Sequence, residues 1–383
     1  MRFLSRATIV PDIQADWVRV AMLQSKLKHH GVELLGAAAL ALANLSAISE
    51  VRADEGGVSF WLPGIYGSLA ATPQQPGWSL ASIYYHTTVS ADADVARARE
   101  ITIGRIPANL TANLNATLNG TGDIGLIVPT YVFATPVFGG QASVGVLAYY
   151  GTASASVGGT LTGTLALPGG ITIPFGPRTE SINSTAWGVG DVQPLASLRW
   201  NAGVDNYMTY LTGDIPVGVY SSSSLANIGI GHGAIDAGGG YTYFNPKTGH
   251  EFSAVLGFTY NFINQSTQYR NGVDLHLDWG ASQFLTQQVQ VGAVGYVYKD
   301  VGCDSGSGDR VGCFQSQVVG IGPQLGFVFP GFPVGGVQGY LNLKLYEEFD
   351  SLDRPKGWNA WATLVFSPAA AAPPTTKRPM FTK

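Results

Sequence analysis

Late in the chain, apolar and polar residues alternate with a period of two. From Glu251 to Ile263 the even positions are Phe252, Ala254, Leu256, Phe258, Tyr260 and Phe262, and the odd ones include Glu251, Ser253, Thr259 and Asn261. From Val337 to Phe349 the odd positions include Val337, Leu341, Leu343, Leu345 and Phe349. The even ones are Gln338, Tyr340, Asn342, Lys344, Tyr346 and Glu348. In "GWNAWATLVF" the residues Trp358, Ala360, Ala362, Leu364 and Phe366 fall on one side. Successive side chains of an extended strand point to opposite faces, so each stretch predicts a strand with one greasy face and one wet face.

Segments of this kind, separated by turn signals, recur near 78–88, 100–118, 123–135, 141–157, 184–202, 205–216, 232–245, 250–263, 272–285, 288–301, 315–330, 335–350 and 358–367. The segment 100–118 carries the weakest alternation. A soluble sandwich alternates too, but these strands run to 12 residues or more, past the usual 5–6 and past the roughly 9–11 that a tilted membrane strand needs. Aromatic residues gather near their ends, as in an interfacial girdle. In hydrocarbon every backbone amide needs a partner, which leaves helices or a closed barrel. The fold class predicted is therefore all-β: a closed antiparallel transmembrane β-barrel spanning 78–367. Single-chain bacterial barrels have even strand numbers, which gives twelve strands, with fourteen as the alternative.

Composition supports this. Charged residues make up 12% of the 383 positions and Gly accounts for 50, against usual figures of about 25% and 7%. Few charges and many Gly and Tyr suit a β-protein whose outer surface meets lipid. The net charge of −4 contains no basic block, which argues against a nucleic-acid partner.

The N-terminal region reads as export machinery. A basic patch, Lys26 to His30, precedes the apolar run "LLGAAALALANLSAI", and "VRA" then fits a secretory cleavage site after Ala53. Residues 1–53 are thus predicted to be an extension plus signal peptide, with Met22 a better start than Met1. Residues 54–77, rich in Pro and Gly, form an irregular segment that would serve as a plug, with "PGIYG" at its centre. The two cysteines, Cys303 and Cys313, are predicted to form a disulfide across a Gly/Ser/Asp-rich loop in an oxidising compartment. Residues 368–383 read as a disordered Pro/Ala-rich tail.

One stretch invites a chemical reading. "VDLHLDW" sets Asp274, His276 and Asp278 two apart, with Val273, Leu275, Leu277 and Trp279 between them. Residues two apart on a strand are about 6.5–7 Å apart, too far to share a metal with bonds of about 2.0–2.2 Å. The row reads instead as a lumen lining, paired with cations such as Arg270, Lys299 or Lys344. By the same parity Glu251, Asn261, Tyr340, Asn342, Lys344, Tyr346 and Glu348 are lumen-facing. Phe252, Leu256, Phe258, Leu275, Leu277, Leu341, Leu343 and Phe366 are lipid-facing. "GTGD" and "GVGD" open no helix, so they are strand bends rather than phosphate loops. The runs after them contain Pro129 and Pro194, which lack a ladder donor and are candidate breaks in the wall where a hydrophobic solute leaves sideways. No GxSxG elbow and no HExxH motif occurs. The chain is accordingly read as a non-enzyme with no catalytic residue, metal or cofactor.

"LPGIYG", "GDIGLIVPTY" (Gly122 to Tyr131), "TGHEFSAVLGFTYNF", "GVDLHLDWGASQ", "VGAVGYVY", "GIGPQLGF" and "EFD" (Glu348 to Asp350) follow one another in an order that resembles the exported proteins named for the meta-cleavage pathway of phenol degradation. The resemblance implies a channel in the outer membrane of a Gram-negative bacterium, distantly like fatty-acid and aromatic-hydrocarbon transporters. Such a protein passes small hydrophobic, chiefly aromatic, compounds by passive diffusion. The expected partners are outer-membrane lipid, those solutes and the barrel-assembly machinery, and the expected state is monomeric. The competing reading is a structural or adhesive surface protein that binds through long loops such as 158–183 and 302–314.

Overall fold

The computed structural model describes residues 59–91, 112–167, 171–309, 312–313, 315–329 and 336–369. The expected signal peptide and its cleavage after Ala53, residues 100–111 and the tail from 370 lie outside the described residues. Twelve antiparallel strands close into a barrel: β1 (Gly77–Ala91), β2 (Ala112–Val132), β3 (Gln141–Leu167), β4 (Ile171–Ala202), β5 (Asp205–Asp214), β6 (Ala234–Asn245), β7 (His250–Asn261), β8 (Val273–Phe284), β9 (Val289–Asp300), β10 (Gln317–Phe329), β11 (Val337–Leu352) and β12 (Lys356–Pro368). Each strand pairs with its sequence neighbours, and β1 closes on β12 through the register Leu80↔Phe366 to Ser90↔Lys356. The ring closes, so no strand is left unpaired along its whole length.

Alternation translates directly into sidedness. Along β7, Glu251, Ser253, Thr259 and Asn261 are buried, whereas Phe252, Leu256 and Phe258 are 43%, 44% and 47% exposed on the outside. An apolar belt of this size is unfavourable in water and favourable in hydrocarbon, so the barrel is an outer-membrane protein. Its rims carry clustered rings: Trp78 against Tyr131 and Tyr131 against Phe133, both at 5.2 Å, near one end, and Tyr260 against Phe262 at 5.6 Å near the other.

Strand lengths are the main departure from the sequence reading. The stretch 158–183, read as a loop, is mostly ladder: β3 and β4 pair from Gly158↔Ser181 out to Leu167↔Ile171. Leu161, Leu165 and Leu167 alternate there with Thr160, Thr162 and Thr164, a strand period that the surrounding Gly and Pro residues obscure. Likewise the candidates 100–118 and 123–135 contribute to a single strand, β2. The short connections after β4, β6 and β8 gather at the end where β1 starts and β12 finishes. Among the described residues the longer ones, 215–233, 262–272 and 301–309, lie at the opposite end.

Candidate functional site

Residues 59–76 occupy the inside of the barrel, held by side chains from at least five strands. The turn around Gly64 is gripped from both polarities. Asp278 on β8 accepts hydrogen bonds from the amides of Gly64 (2.9 Å) and Tyr66 (3.1 Å). Lys344 on β11 donates to the carbonyls of Gly64 (2.5 Å), Ile65 (3.1 Å) and Tyr66 (3.2 Å). The φ of +88° at Gly64 suits glycine, and a Cβ there would sit 2.9 Å from the Tyr346 ring. Further along, Leu69 donates to Glu251 (2.9 Å), Ala71 to Thr242 (3.0 Å), and Gln74 exchanges two hydrogen bonds with Gln141. The Trp61 ring stacks on His276 with centroids 3.6 Å apart.

The Asp–His–Asp row thus has three separate jobs. Asp278 holds the inserted segment. His276 contacts Asp236 of β6 through Nε2 at 2.7 Å, and Thr259 donates to the same carboxylate oxygen at 2.5 Å. Asp274 accepts from Asn261 at 3.0 Å and lies opposite Asp300, whose other contact is the Ser316 amide at 2.8 Å. Among the described residues no three His, Cys, Asp or Glu side chains converge on one point.

Of the cations expected as partners for this row, only Lys344 faces it, and it meets Asp278 across the inserted backbone rather than directly. Arg270 donates instead to Ser305 and Tyr260. Lys299 pairs in register with Leu275 and is exposed on the outside, because the parity of β9 points it away from the lumen.

The other inward residues also have partners. Tyr340 donates to Gln290 (3.2 Å), Asn342 to Gln324 (3.5 Å) and Tyr346 to the Gly64 carbonyl (3.3 Å), while Glu348 accepts from Tyr296 and from the Gly357 amide, each at 2.7 Å. On the outer face Leu343 is exposed, and Leu275, Leu277, Leu341 and Phe366 are half-buried against strand neighbours.

Beside the inserted segment a cavity of about 460 Å3 remains, walled by Trp61, Tyr66, Leu126, Leu147, Tyr149 and Ile230 among others. Most of its surface is apolar, and polar side chains such as Gln193, Arg199, Glu348 and Arg354 also reach it, the mix of greasy wall and fixed polar groups usual in a ligand site. The cavity reaches the barrel wall where the two prolines lie. The β2–β3 register is unbroken from Ile127↔Ala148 to Thr130↔Gly145 but has no pairs at Val128 and Pro129, which places Pro129 opposite Val146. Across β3 the same Val146 pairs with Pro194. Both prolines therefore flank one point of β3. Their strand neighbours Val128, Thr130, Gln193 and Leu195 line the cavity. The β4–β5 ladder ends at Leu195↔Thr212, and beyond it segment 215–233 covers the free stretch of β4. Asp191, buried, secures that cover by accepting from the amides of Gly218 and Ile230, each at 2.7 Å.

Sequence reasoning did not single out Asp191, Arg199, Asp236 or Trp61. Asp191 was visible only as the end of "GVGD", and nothing local says that a turn some 27 residues onward needs its carboxylate. At the long-loop end, Cys303 and Cys313 are disulfide-bonded with Cα atoms 4.6 Å apart. Next to them Asp304 accepts from the Tyr269 hydroxyl and from the Gly272 amide at 2.9 Å. Burial outweighs these bonds and pushes its carboxyl up to about 6.

Comparison with known proteins places the chain. The family model described as "Putative MetA-pathway of phenol degradation" matches residues 104–364. Among solved structures, an outer membrane channel from Pseudomonas putida F1 superposes with a TM-score of 0.55 at 13% identity, covering 80% of this chain and 98% of that one. A Pseudomonas aeruginosa FadL homologue gives a TM-score of 0.32 at 10% identity, covering 84% and 97%. At these identities the first shows a shared fold, and the second adds nothing to it. No curated protein sequence matches.

Proposed function

The chain belongs to the MetA-pathway family of phenol degradation, and from that premise we propose that it is an outer-membrane channel through which small hydrophobic, chiefly aromatic, solutes diffuse passively. The observation that carries this reading is the largely apolar cavity beside the inserted segment, lined in part by the strand neighbours of Pro129 and Pro194. A general porin needs a wet, open lumen; here the lumen is occupied by residues 59–76 and the space left over is greasy. Residues 59–76 act as a plug in this reading, and their departure, or a partial shift, connects the cavity with the water on either side.

The exit we propose is lateral, through the wall at Val146. Pro129 and Pro194 bring no amide hydrogen to the ladder, so the strands there are held less tightly than elsewhere. A solute leaving by this route passes into the lipid without crossing a polar rim. The protein works as a monomer inserted by the barrel-assembly machinery, with no cofactor and no bond made or broken.

Uptake into liposomes tests both parts. Vesicles carrying the barrel take up toluene or phenol faster than empty vesicles, and Pro129→Val or Pro194→Val slows this without reducing the folded, heat-modifiable species. Unchanged uptake in both variants would remove the lateral route. No uptake by the unmodified protein would leave the adhesive surface protein as the better reading.

A further inference from the structure

We propose that the cavity is an acceptor site for amphipathic carboxylates: an aromatic or alkyl body in the apolar space and the carboxylate on Arg199. This rests on the channel reading and narrows its solute class. Arg199 sits on the inner face of β4 and lines the cavity. It is 9% exposed, and no carboxylate forms an ion pair with it among the described residues. Its Nη1 donates to Ser197 Oγ at 2.5 Å and to Ser143 Oγ at 3.4 Å, and those two hydroxyls are 2.8 Å apart. Its Nε–H has no acceptor among the described residues. A guanidinium keeps its charge at any physiological pH, and burying a charge without a counter-ion is unfavourable.

Most other inward-facing charges near the inserted segment have a use: Lys344 and Asp278 hold its backbone, and Glu251 holds Leu69. Arg199 ends instead in two neutral serines and an unmet donor, whereas Arg354, the other guanidinium on the cavity wall, also leaves Nη1 unmet but lies over the Tyr298 ring. A carboxylate fits that vacancy. Arginine matches a carboxylate in a planar, two-bonded geometry. The paired hydroxyls of Ser143 and Ser197 stand ready as further donors once the anion arrives. Tyr66 lies near Arg199, and Leu195 and Leu147 further along the same cavity wall suit the hydrophobic remainder of such a molecule. A neutral phenol would fill the same walls and leave the guanidinium uncompensated.

Binding to the purified full-length barrel in a non-ionic detergent, followed by isothermal titration calorimetry at neutral pH, tests this. The probes are 4-phenylbutyrate, octanoate and the neutral 4-phenylbutan-1-ol. Either carboxylate binds about tenfold or more tightly than the alcohol, as one charge-assisted hydrogen-bond pair warrants; which of the two binds better tells an aromatic from an alkyl solute. Arg199→Gln abolishes the preference and leaves the alcohol's affinity unchanged, and Arg199→Lys retains part of it. Equal affinities for carboxylate and alcohol in the unmodified protein, or a preference that survives Arg199→Gln, would overturn the assignment. Toluene uptake in the same preparation separates the two readings: uptake without a carboxylate preference removes the anion site and spares the channel, and a preference without uptake does the reverse.

Discussion

Asp278→Asn is the most informative single change. Asp278 accepts two backbone amides of the inserted turn, and Lys344 satisfies three carbonyls of the same turn from the other side. An asparagine keeps one acceptor, but its amide group then faces the second backbone N–H donor to donor. One buried donor is left unsatisfied, at about 1–3 kcal/mol, and one hydrogen bond to a charged group is lost, also on the order of 1.5–3 kcal/mol. Allowing for partial relaxation, docking of residues 59–76 weakens by about 2–4 kcal/mol, which raises the undocked population about 30- to 1000-fold. The barrel itself is untouched, because its ladder uses backbone groups alone. In planar bilayers the variant therefore shows more frequent or larger open events than the unmodified channel, with the same heat-modifiable mobility on gels. Lys344→Met has the same effect, and the double variant falls short of the sum because both side chains hold one turn. If Asp278→Asn conducts like the unmodified protein while deletion of residues 59–76 opens the channel, the grip on the turn is not what keeps it docked.

Other outcomes follow from the same geometry. A charge at Leu275 or Leu277, as in Leu275→Arg, destabilises the folded barrel by roughly 2–4 kcal/mol near the bilayer midplane, measured by urea unfolding in lipid vesicles; no loss would mean that this face does not meet lipid. Asp274→Asn leaves the barrel folded but alters permeation in the liposome assay, since its partner Asn261 and its neighbour Asp300 both lie on the lumen side. Gly64→Val undocks the segment, because the new side chain meets both a positive φ and the Tyr346 ring, and it should resemble Asp278→Asn in bilayer recordings. At the loop end, Asp304 has a folded-state carboxyl raised to about 6, so its contribution is fully present below the ordinary carboxylate range and is lost as pH rises through about 6. Hydrogen exchange at the Gly272 amide, corrected for its intrinsic pH dependence, is then slower at pH 4 than at pH 7, and Asp304→Asn flattens the difference.

Parity carried most of what could be read in advance. The inward set from Glu251 to Glu348 and the outward set from Phe252 to Phe366 follow from period-two alternation, since a slip of one residue would turn every apolar side chain into the lumen. Where alternation is obscured, the reading fails. The β3–β4 extension through 158–183 is rich in Gly and Pro and reads as a loop, although Leu161, Leu165 and Leu167 alternate with Thr160, Thr162 and Thr164. The pairing of Asp274, His276 and Asp278 was legible only as a polar row, and two of its three anticipated cations belong elsewhere. Lys299 fell outside because register, not composition, decides which way β9 faces.

By itself the sequence determined a closed β-barrel with a lipid-facing belt, an order of strands and a Pro/Gly-rich segment ahead of the first one. These are properties of local period and composition, written in residues one or two apart. The tertiary structure alone decided that Asp278 and Lys344, 66 positions apart, close on the same turn at Gly64. It alone brought Pro129 and Pro194 to opposite sides of Val146, and left Arg199 buried with no carboxylate paired to it among the described residues. Such meetings depend on the stagger of strands around a closed ring. That stagger is fixed by the sum of all twelve pairings, so no single stretch of chain encodes it.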